Sequence, residues 1–459
     1  MNIAAKWSSE LKNSQLNLSK LAKINSVSSA FNANIDAIVN IDGKELSNSI
    51  KKHNLTLKFL QNHPERKAET LNEIFCGIFK CFSLGIAEEW TSYNPELCTE
   101  IMQNFKVKKM QIGGQGGIIA NLLSICNVQN VVVHTNSLPK IQAKQFIPNK
   151  NLKSFDEKGD MLQISQICRK NDLPLIHIIF EFKKDDILTV DGKNFICPKS
   201  NRFIISCDEL NQKLITDKNF MQYMSGNPQN YCFLSGFQIL SEERAKIVLP
   251  EIKNHILSWR KSAQKDCIFH LEIASTSDEN ALKIIIDEIA KNVDSIGLNE
   301  REAIDLMNLL NKNDIFEPNA VDMFKAILFL RKYISVPRIE LHMLGLFMTL
   351  QDKNFKQTPL QAKNGMLLAS RISSSRAYLG DLKKYDDLLA SDNFEISEIG
   401  INELKNLADY LHSVSLFENG IYDGDDYDFI AVPTPLVKKP TGLVGMGDTI
   451  SSISLIGAI

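Results

Sequence analysis

Close to the C-terminal end stands Thr441-Gly-Leu-Val-Gly-Met-Gly-Asp-Thr-Ile450, with three glycines ahead of Asp448 and a helix-like TISSISLIG run behind it. Glycines let successive backbone N–H groups point into one loop, and a following helix adds its positive end, so the segment reads as an anion hole. A carboxylate beside an anion hole is costly unless a proton must leave next to a developing negative charge. Phosphoryl transfer to an alcohol has that requirement. The plain alternative is a glycine turn with Asp448 as helix cap, and for this motif alone that alternative leads. The spacing is neither a Walker loop, since no Gly-Lys-Ser/Thr follows, nor G-x-G-x-x-G.

Four other sets could join it. Gly113-Gly-Gln-Gly-Gly117 leads into IIANLLSI, a small-residue loop at a helix start where Gly114 allows close approach and Gln115 offers a donor and an acceptor. A tight turn needing positive φ explains it equally well. Asn34 and Asp36 share one face of a strand by alternation, and together suit neighbouring sugar hydroxyls, or merely cap a solvated strand end. His270 and Glu272 share a face of the strand CIFHLEIA, where a carboxylate among apolar neighbours needs a partner or a cation. Asn299 and Glu302 match a capping box, yet Glu302 with Glu272 could also hold Mg²⁺, mostly through waters. His177 in IHIIFEF and Arg202 in SNRF are ordinary strand residues unless the others gather around them.

These residues need a framework. Apolar strand-like runs alternate with helical ones, which predicts an α/β fold. Ser26 to Val39 reads as one early strand ending in polar residues, followed later by strands at Asn130 to His134, Cys267 to Ala274, Val293 to Leu298 and Phe429 to Val432. Ile176 to Phe182 and Asn194 to Ser206 read as a strand pair, with Asp191-Gly192 in the connecting turn. Helices are expected over Ile118 to Cys126, Val321 to Tyr333 and Leu360 to Ser373. Two excursions, 41–98 and 171–207, are expected to form a small lid; 1–40, 99–170 and 208–459 are expected to form the larger unit.

Composition bounds the class of protein. The 459 residues carry 52 basic and 54 acidic side chains, a net charge of −2, so no global basic field recruits nucleic acid or an anionic membrane. Nine scattered cysteines without a C-x-x-C pair fit reduced thiols in a cytoplasm. Met1 to Lys20 lacks an uninterrupted apolar stretch, and no run approaches the length of a membrane span.

The order of the motifs is more specific than any one of them. FNANIDAIV, GGQGGIIANLL, IFEF, NRFI, HLE, NERE and GLVGMGDTIS follow one another from about Ser26 to Ser452. This series resembles the ADP-dependent glucokinases and phosphofructokinases of the ribokinase-like superfamily. The resemblance implies a three-layer α/β/α large domain with a smaller discontinuous lid. It also implies transfer of the β-phosphate of ADP to a sugar hydroxyl, with release of AMP. It makes Asp448 the base and the N–H groups of Gly445, Met446 and Gly447 the anion hole. It gives Asn34, Asp36, Gly114, Gln115, His177 and Arg202 to the substrate, and Glu272 and Glu302 to Mg²⁺ or another divalent cation, with His270 and Asn299 in support. Within Gly85-Ile-Ala-Glu-Glu89, the position that separates the branches falls on Glu89, or one residue earlier on Glu88; a carboxylate there accepts from glucose and repels a sugar phosphate. Leu175, where the phosphofructokinase branch tends to carry Lys, points the same way.

Glucose is therefore the expected acceptor. Fructose 6-phosphate, or use of both, is the first alternative; an ATP-dependent kinase of the same superfamily and a catalytically silent sugar or nucleotide sensor are the others. Two departures from the family pattern stand out: GIAEE where many relatives have Gly-Lys, and Pro435 where many have Arg. The expected enzyme is a monomer or small homo-oligomer.

Overall fold

The run from Val27 to Ala37 is buried throughout, yet it is not one strand. In the computed structural model, which describes residues 3–62, 66–94, 96–276, 278–311, 315–391, 394–442 and 444–459, it divides into Val27–Ala30 and Asn34–Asn40, and each half joins a different sheet. Leu443 of the glycine loop, and 63–65 and 95 of the expected lid, lie outside the described residues.

Val27–Ala30 runs through the middle of the larger sheet, which has eleven strands among the described residues. Seven neighbours are parallel: Arg338–Met343, Ser295–Asn299, Ile268–Glu272, Tyr231–Leu234, Val27–Ala30, Val131–Val133 and Leu152–Phe155. Antiparallel strands close both edges. The central strands are buried along their length, as expected of a parallel sheet covered on both faces. Gln115–Ile125, Pro359–Leu379 and Met446–Ile456 pack together on it. Glu242–Ser262, Glu279–Glu288 and Ala320–Ile334 complete a three-layer α/β/α body around one apolar core.

Asn34–Asn40 belongs to a five-stranded sheet in the order Glu88–Thr91, Asn201–Cys207, Ile176–Phe182, Asn34–Asn40, Lys109–Gly113. Alternation sorts its side chains. Ile35, Ala37, Ile178, Phe180, Phe203, Ile205 and Trp90 pack under the helix Leu71–Leu84 in a second core. The opposite face carries Asn34, Asp36, His177, Ser206 and Arg202. The sequence alone leaves 34–40 and 109–113 with the larger unit, but both are strands of this smaller sheet.

One pairing differs from expectation. Asp191-Gly192 closes a separate hairpin of Ile187–Val190 with Lys193–Ile196, both residues having positive φ. Ile176–Phe182 does pair with the later part of the expected run, Asn201–Cys207. The expected strand from Asn194 to Ser206 breaks at Cys197 to Ser200, where Pro198 lacks an N–H for either ladder.

Candidate active site

The chain crosses from the larger sheet to the smaller between Ala30 and Asn34, and returns between Gly113 and Gln115. These crossings lie side by side. Gly117 N–H donates to the Asn32 carbonyl at 3.1 Å. A Cβ on Gly114, whose φ is +71°, would meet that carbonyl at 2.7 Å, and one on Gly113 would sit 2.0 Å from Asp36 Oδ1. The glycines are therefore required by close packing, and Gln115 is left at the start of a helix. The Asn34/Asp36 pair sits at the start of its strand, not at a carboxyl end as the sequence suggests, because the chain changes sheets just before it. The shared face holds: Asn34 Nδ2 donates to Asp36 Oδ1 at 2.8 Å.

Strand register extends this pair into a row. Asp36 is opposite Gln111 on one side and His177 on the other, and His177 is opposite Ser206. Burial raises the Asp36 carboxyl, against the pull of His177, Asn34 and Arg202. Burial pulls His177 down, but Asp208, 3.2 Å from Nε2, with Glu89 and Asp36, outweighs it and leaves the ring up at about 9. The ring is thus a cation among carboxylates. Ser206 Oγ donates to Glu89, whose carboxylate lies 3.9 Å from His177 Nδ1. Glu88 turns the other way, accepting from Trp90 Nε1 and Lys80, each at 2.9 Å. Of the two adjacent carboxylates, Glu89 therefore faces the row. Gln111 and Ser206 escaped the sequence reading; only the register brings them in.

Across from this row stands the first turn of Met446–Ile456. Gly445 has φ +73° and precedes the helix, and its carbonyl accepts the first helical bond, from Thr449 N–H at 3.0 Å. The N–H groups of Met446, Gly447 and Asp448 consequently have no acceptor within the helix. Asp448 is 8% exposed. Burial and Glu272 push its carboxyl up, Arg376 and a bond from Gln115 pull it down, and it stands at about 7. Gln115 Oε1 also accepts from Gly236 N–H at 3.2 Å. Residues from four distant stretches therefore converge here.

Glu272 ends one parallel strand; Asn299 ends the next, with Glu302 one turn into the helix that follows. The capping box exists: Asn299 Oδ1 accepts from Glu302 N–H at 3.0 Å, and Glu302 Oε2 from Asn299 N–H at 2.8 Å. It does not exhaust Glu302, which is 8% exposed; burial and then the charges of Glu272 and Asp448 hold it up at about 8. Glu272 stands at about 8 mainly through burial, with the Ser451 hydroxyl opposing. Gly297 is needed beside it, since a Cβ there would lie 2.3 Å from Glu272 Oε2.

Behind Glu272 runs a buried chain with a fixed direction. Arg338 Nη1 donates to Ser295 Oγ at 2.8 Å, so the Ser295 hydroxyl proton is free to go to His270 Nδ1 at 3.0 Å. His270 then presents Nε2–H to Glu272 Oε2 at 3.2 Å. Burial, helped by Arg338, drives the His270 ring down to about 3, so it stays neutral in this tautomer. Arg338 and Ser295 carried no sequence signal. His342, half-buried, lies against Gly447: a Cβ on Gly447 would be 3.4 Å from its ring.

Comparison with known proteins gives one family. Residues 25–457 match the model described as the ADP-specific phosphofructokinase/glucokinase conserved region. An ADP-dependent glucose/glucosamine kinase of Pyrococcus abyssi is 28% identical over 96% of this chain and 95% of its own. An ADP-specific phosphofructokinase of Methanosarcina acetivorans is 25% identical over 94% of this chain and 92% of its own. Among solved structures, the last common ancestor of ADP-dependent phosphofructokinases from Methanosarcinales superposes with a TM-score of 0.83 at 25% identity, covering 100% of this chain and 99% of its own.

Proposed function

The chain belongs to the ADP-specific phosphofructokinase and glucokinase family, and from that premise we propose that it transfers the β-phosphoryl group of ADP to the 6-hydroxyl of glucose. The observation that carries the choice of glucose is the orientation of Glu89 onto the face that holds Asn34, Asp36, His177 and Ser206. A row of carboxylates and amides suits a neutral polyol, and an added carboxylate disfavours a phosphorylated one.

In this reaction Asp448 takes the hydroxyl proton while the sugar oxygen bonds to the β-phosphorus. The bond from that phosphorus to the bridging oxygen breaks, and AMP leaves with the electron pair. Asp448 must be ionised to act, and Gln115 and Arg376 oppose its burial for that purpose. The first-turn N–H groups of Met446 and Gly447 point where charge collects on the phosphoryl oxygens. Glu272 and Glu302 fit a divalent cation, being buried carboxylates whose charge nothing else in the cluster fully offsets. No set of three His, Cys, Asp or Glu gathers as a metal cage among the described residues, so water and phosphate oxygens would complete such an ion's shell. When bound, Mg²⁺ would neutralise phosphate charge. The smaller sheet, with 41–98 and 171–207, acts as the closing half and excludes water from the transfer.

One observation favours a second acceptor. Arg202 and the protonated His177 lie on the same face as Glu89 and offer two cations to the phosphate of fructose 6-phosphate. The test is AMP release from Mg–ADP with glucose and with fructose 6-phosphate in separate reactions, ATP competing as donor. AMP with glucose alone is the expected result. AMP with fructose 6-phosphate alone overturns the assignment of Glu89, and turnover with ATP alone overturns the donor.

A further inference from the structure

The last turn of Pro359–Leu379 brings a buried guanidinium beside the glycine loop. Thr441 fastens the two segments, donating its N–H to the Ala377 carbonyl and its hydroxyl to the Tyr378 carbonyl, both at 2.7 Å. Arg376 lies between these contacts and the helix start at Met446. Its side chain is 6% exposed. Nη1 reaches the Val444 carbonyl at a long 3.4 Å and Asp381 at 3.9 Å, while Nε is buried without a partner. A Cβ on Gly445 would be 3.1 Å from Nη1, so the guanidinium lies close against the glycine loop. Asp381 is shared with Lys109 of the smaller sheet, 3.3 Å away, and so is no dedicated counter-ion.

A buried arginine with weak contacts and an unmade bond retains much of its desolvation cost unless an anion arrives. At the same place the first-turn N–H groups of Met446 and Gly447 have no acceptor within their own helix. We propose that Arg376 is the cation of the phosphoryl site, donating to the terminal phosphate oxygens of the donor opposite the Met446 and Gly447 N–H groups. This rests on the phosphotransfer reading above and adds to it a specific group that separates a diphosphate from a monophosphate. The terminal phosphate of ADP meets the guanidinium; AMP does not reach it. Planar delocalised charge matters here, because one guanidinium can serve two oxygens.

Titration calorimetry with ADP and AMP, together with steady-state kinetics, tests this on Arg376→Met and Arg376→Lys. In Arg376→Met, AMP affinity is expected within about twofold of wild type, ADP affinity about tenfold or more weaker, and kcat about hundredfold lower, the scale for removing one fixed stabiliser of transition-state charge. Arg376→Lys is expected to recover part of kcat. Equal weakening of ADP and AMP, or an unchanged kcat, in a variant that unfolds like wild type overturns the assignment. If Arg376→Met does not fold, Arg376→Lys decides: a narrowed preference for ADP over AMP supports the site, and wild-type preference overturns it. Inorganic phosphate supplies a readout independent of turnover, through its protection of each protein against thermal unfolding. Protection of wild type that Arg376→Met loses supports the anion site even if no sugar accepts phosphate from ADP, in which case only the reaction assignment falls. AMP formation by a wild type whose protection equals that of the variant overturns Arg376 and leaves the reaction standing.

Discussion

Asp448 sits between opposed fields. Burial and Glu272 hold its proton on; Arg376 and Gln115 draw it off, and the balance near 7 puts the loss of that proton within the physiological range. In the reading of Asp448 as base, kcat/KM is expected to rise with pH through about 7, because only the carboxylate accepts the hydroxyl proton. Asp448→Asn is expected to lower kcat by about 10²–10⁴ while ADP affinity stays near wild type. A pH–rate profile and ADP titration check both; a kcat near wild type in Asp448→Asn removes the residue as base. At this scale the sequence is informative where spacing alone carries the chemistry. GMGD, GGQGG, HLE and NERE each keep their groups within a few residues. Ser206, Gln111, Arg338 and Arg376 were not legible, since each enters the site through a cross-strand neighbour or a helix packed from far along the chain.

At the scale of elements, alternation and turn chemistry were legible, and sheet membership was not. Val27–Ala30 and Asn34–Asn40 read as one strand because both are buried, and a burial pattern does not say in which core. Asp191-Gly192 marks a hairpin correctly, but the strands it joins were not those expected. The crossing at Gly113 is the element on which the proposed sugar face depends. In Gly113→Ala the new methyl would meet Asp36 Oδ1 at 2.0 Å and Asn34 Nδ2 at 2.7 Å, both side chains of the proposed sugar contact. Because the conflict falls on those two groups, KM for the sugar is expected to rise about tenfold or more while the ADP constant changes little. Steady-state kinetics with each substrate varied separates these, and equal changes in both constants count against a sugar role for Asn34 and Asp36.

At the scale of the molecule, one cluster ties stability to protons and to the divalent cation proposed for it. Glu272 and Glu302 stand at about 8 and Asp448 at about 7, each raised chiefly by burial. A carboxyl that binds its proton more tightly when folded favours folding at low pH, and that contribution disappears as pH climbs from the unfolded value through the folded one. His177 acts in the same sense: raised from 6.5 to about 9, its contribution is whole below the lower value and lost above the higher. The metal-free protein is therefore expected to unfold a few degrees lower at about pH 8.5 than at about pH 6, with Mg²⁺ restoring more at the higher pH, where the carboxylates are free to bind it. Calorimetry with and without chelator reads this directly; a midpoint that does not move with pH would show that folding does not tighten these groups' hold on their protons. The α/β class and the three-layer body were legible from strand–helix alternation and motif order, because those survive without knowing which strands touch. The extent of the smaller sheet was not, since two of its strands lie beyond the excursions in the chain that suggest it.

The two sheets also differ in when their strands become available. Every strand of the smaller sheet lies between Asn34 and Cys207, whereas most central strands of the larger one, from Tyr231–Leu234 onward, come later. On a ribosome the smaller sheet and its core can assemble while Val27–Ala30 still lacks its neighbour Tyr231–Leu234. The smaller half, proposed to close over the sugar, would thus be finished first, and the larger body would complete itself around the two crossings already joined to that half.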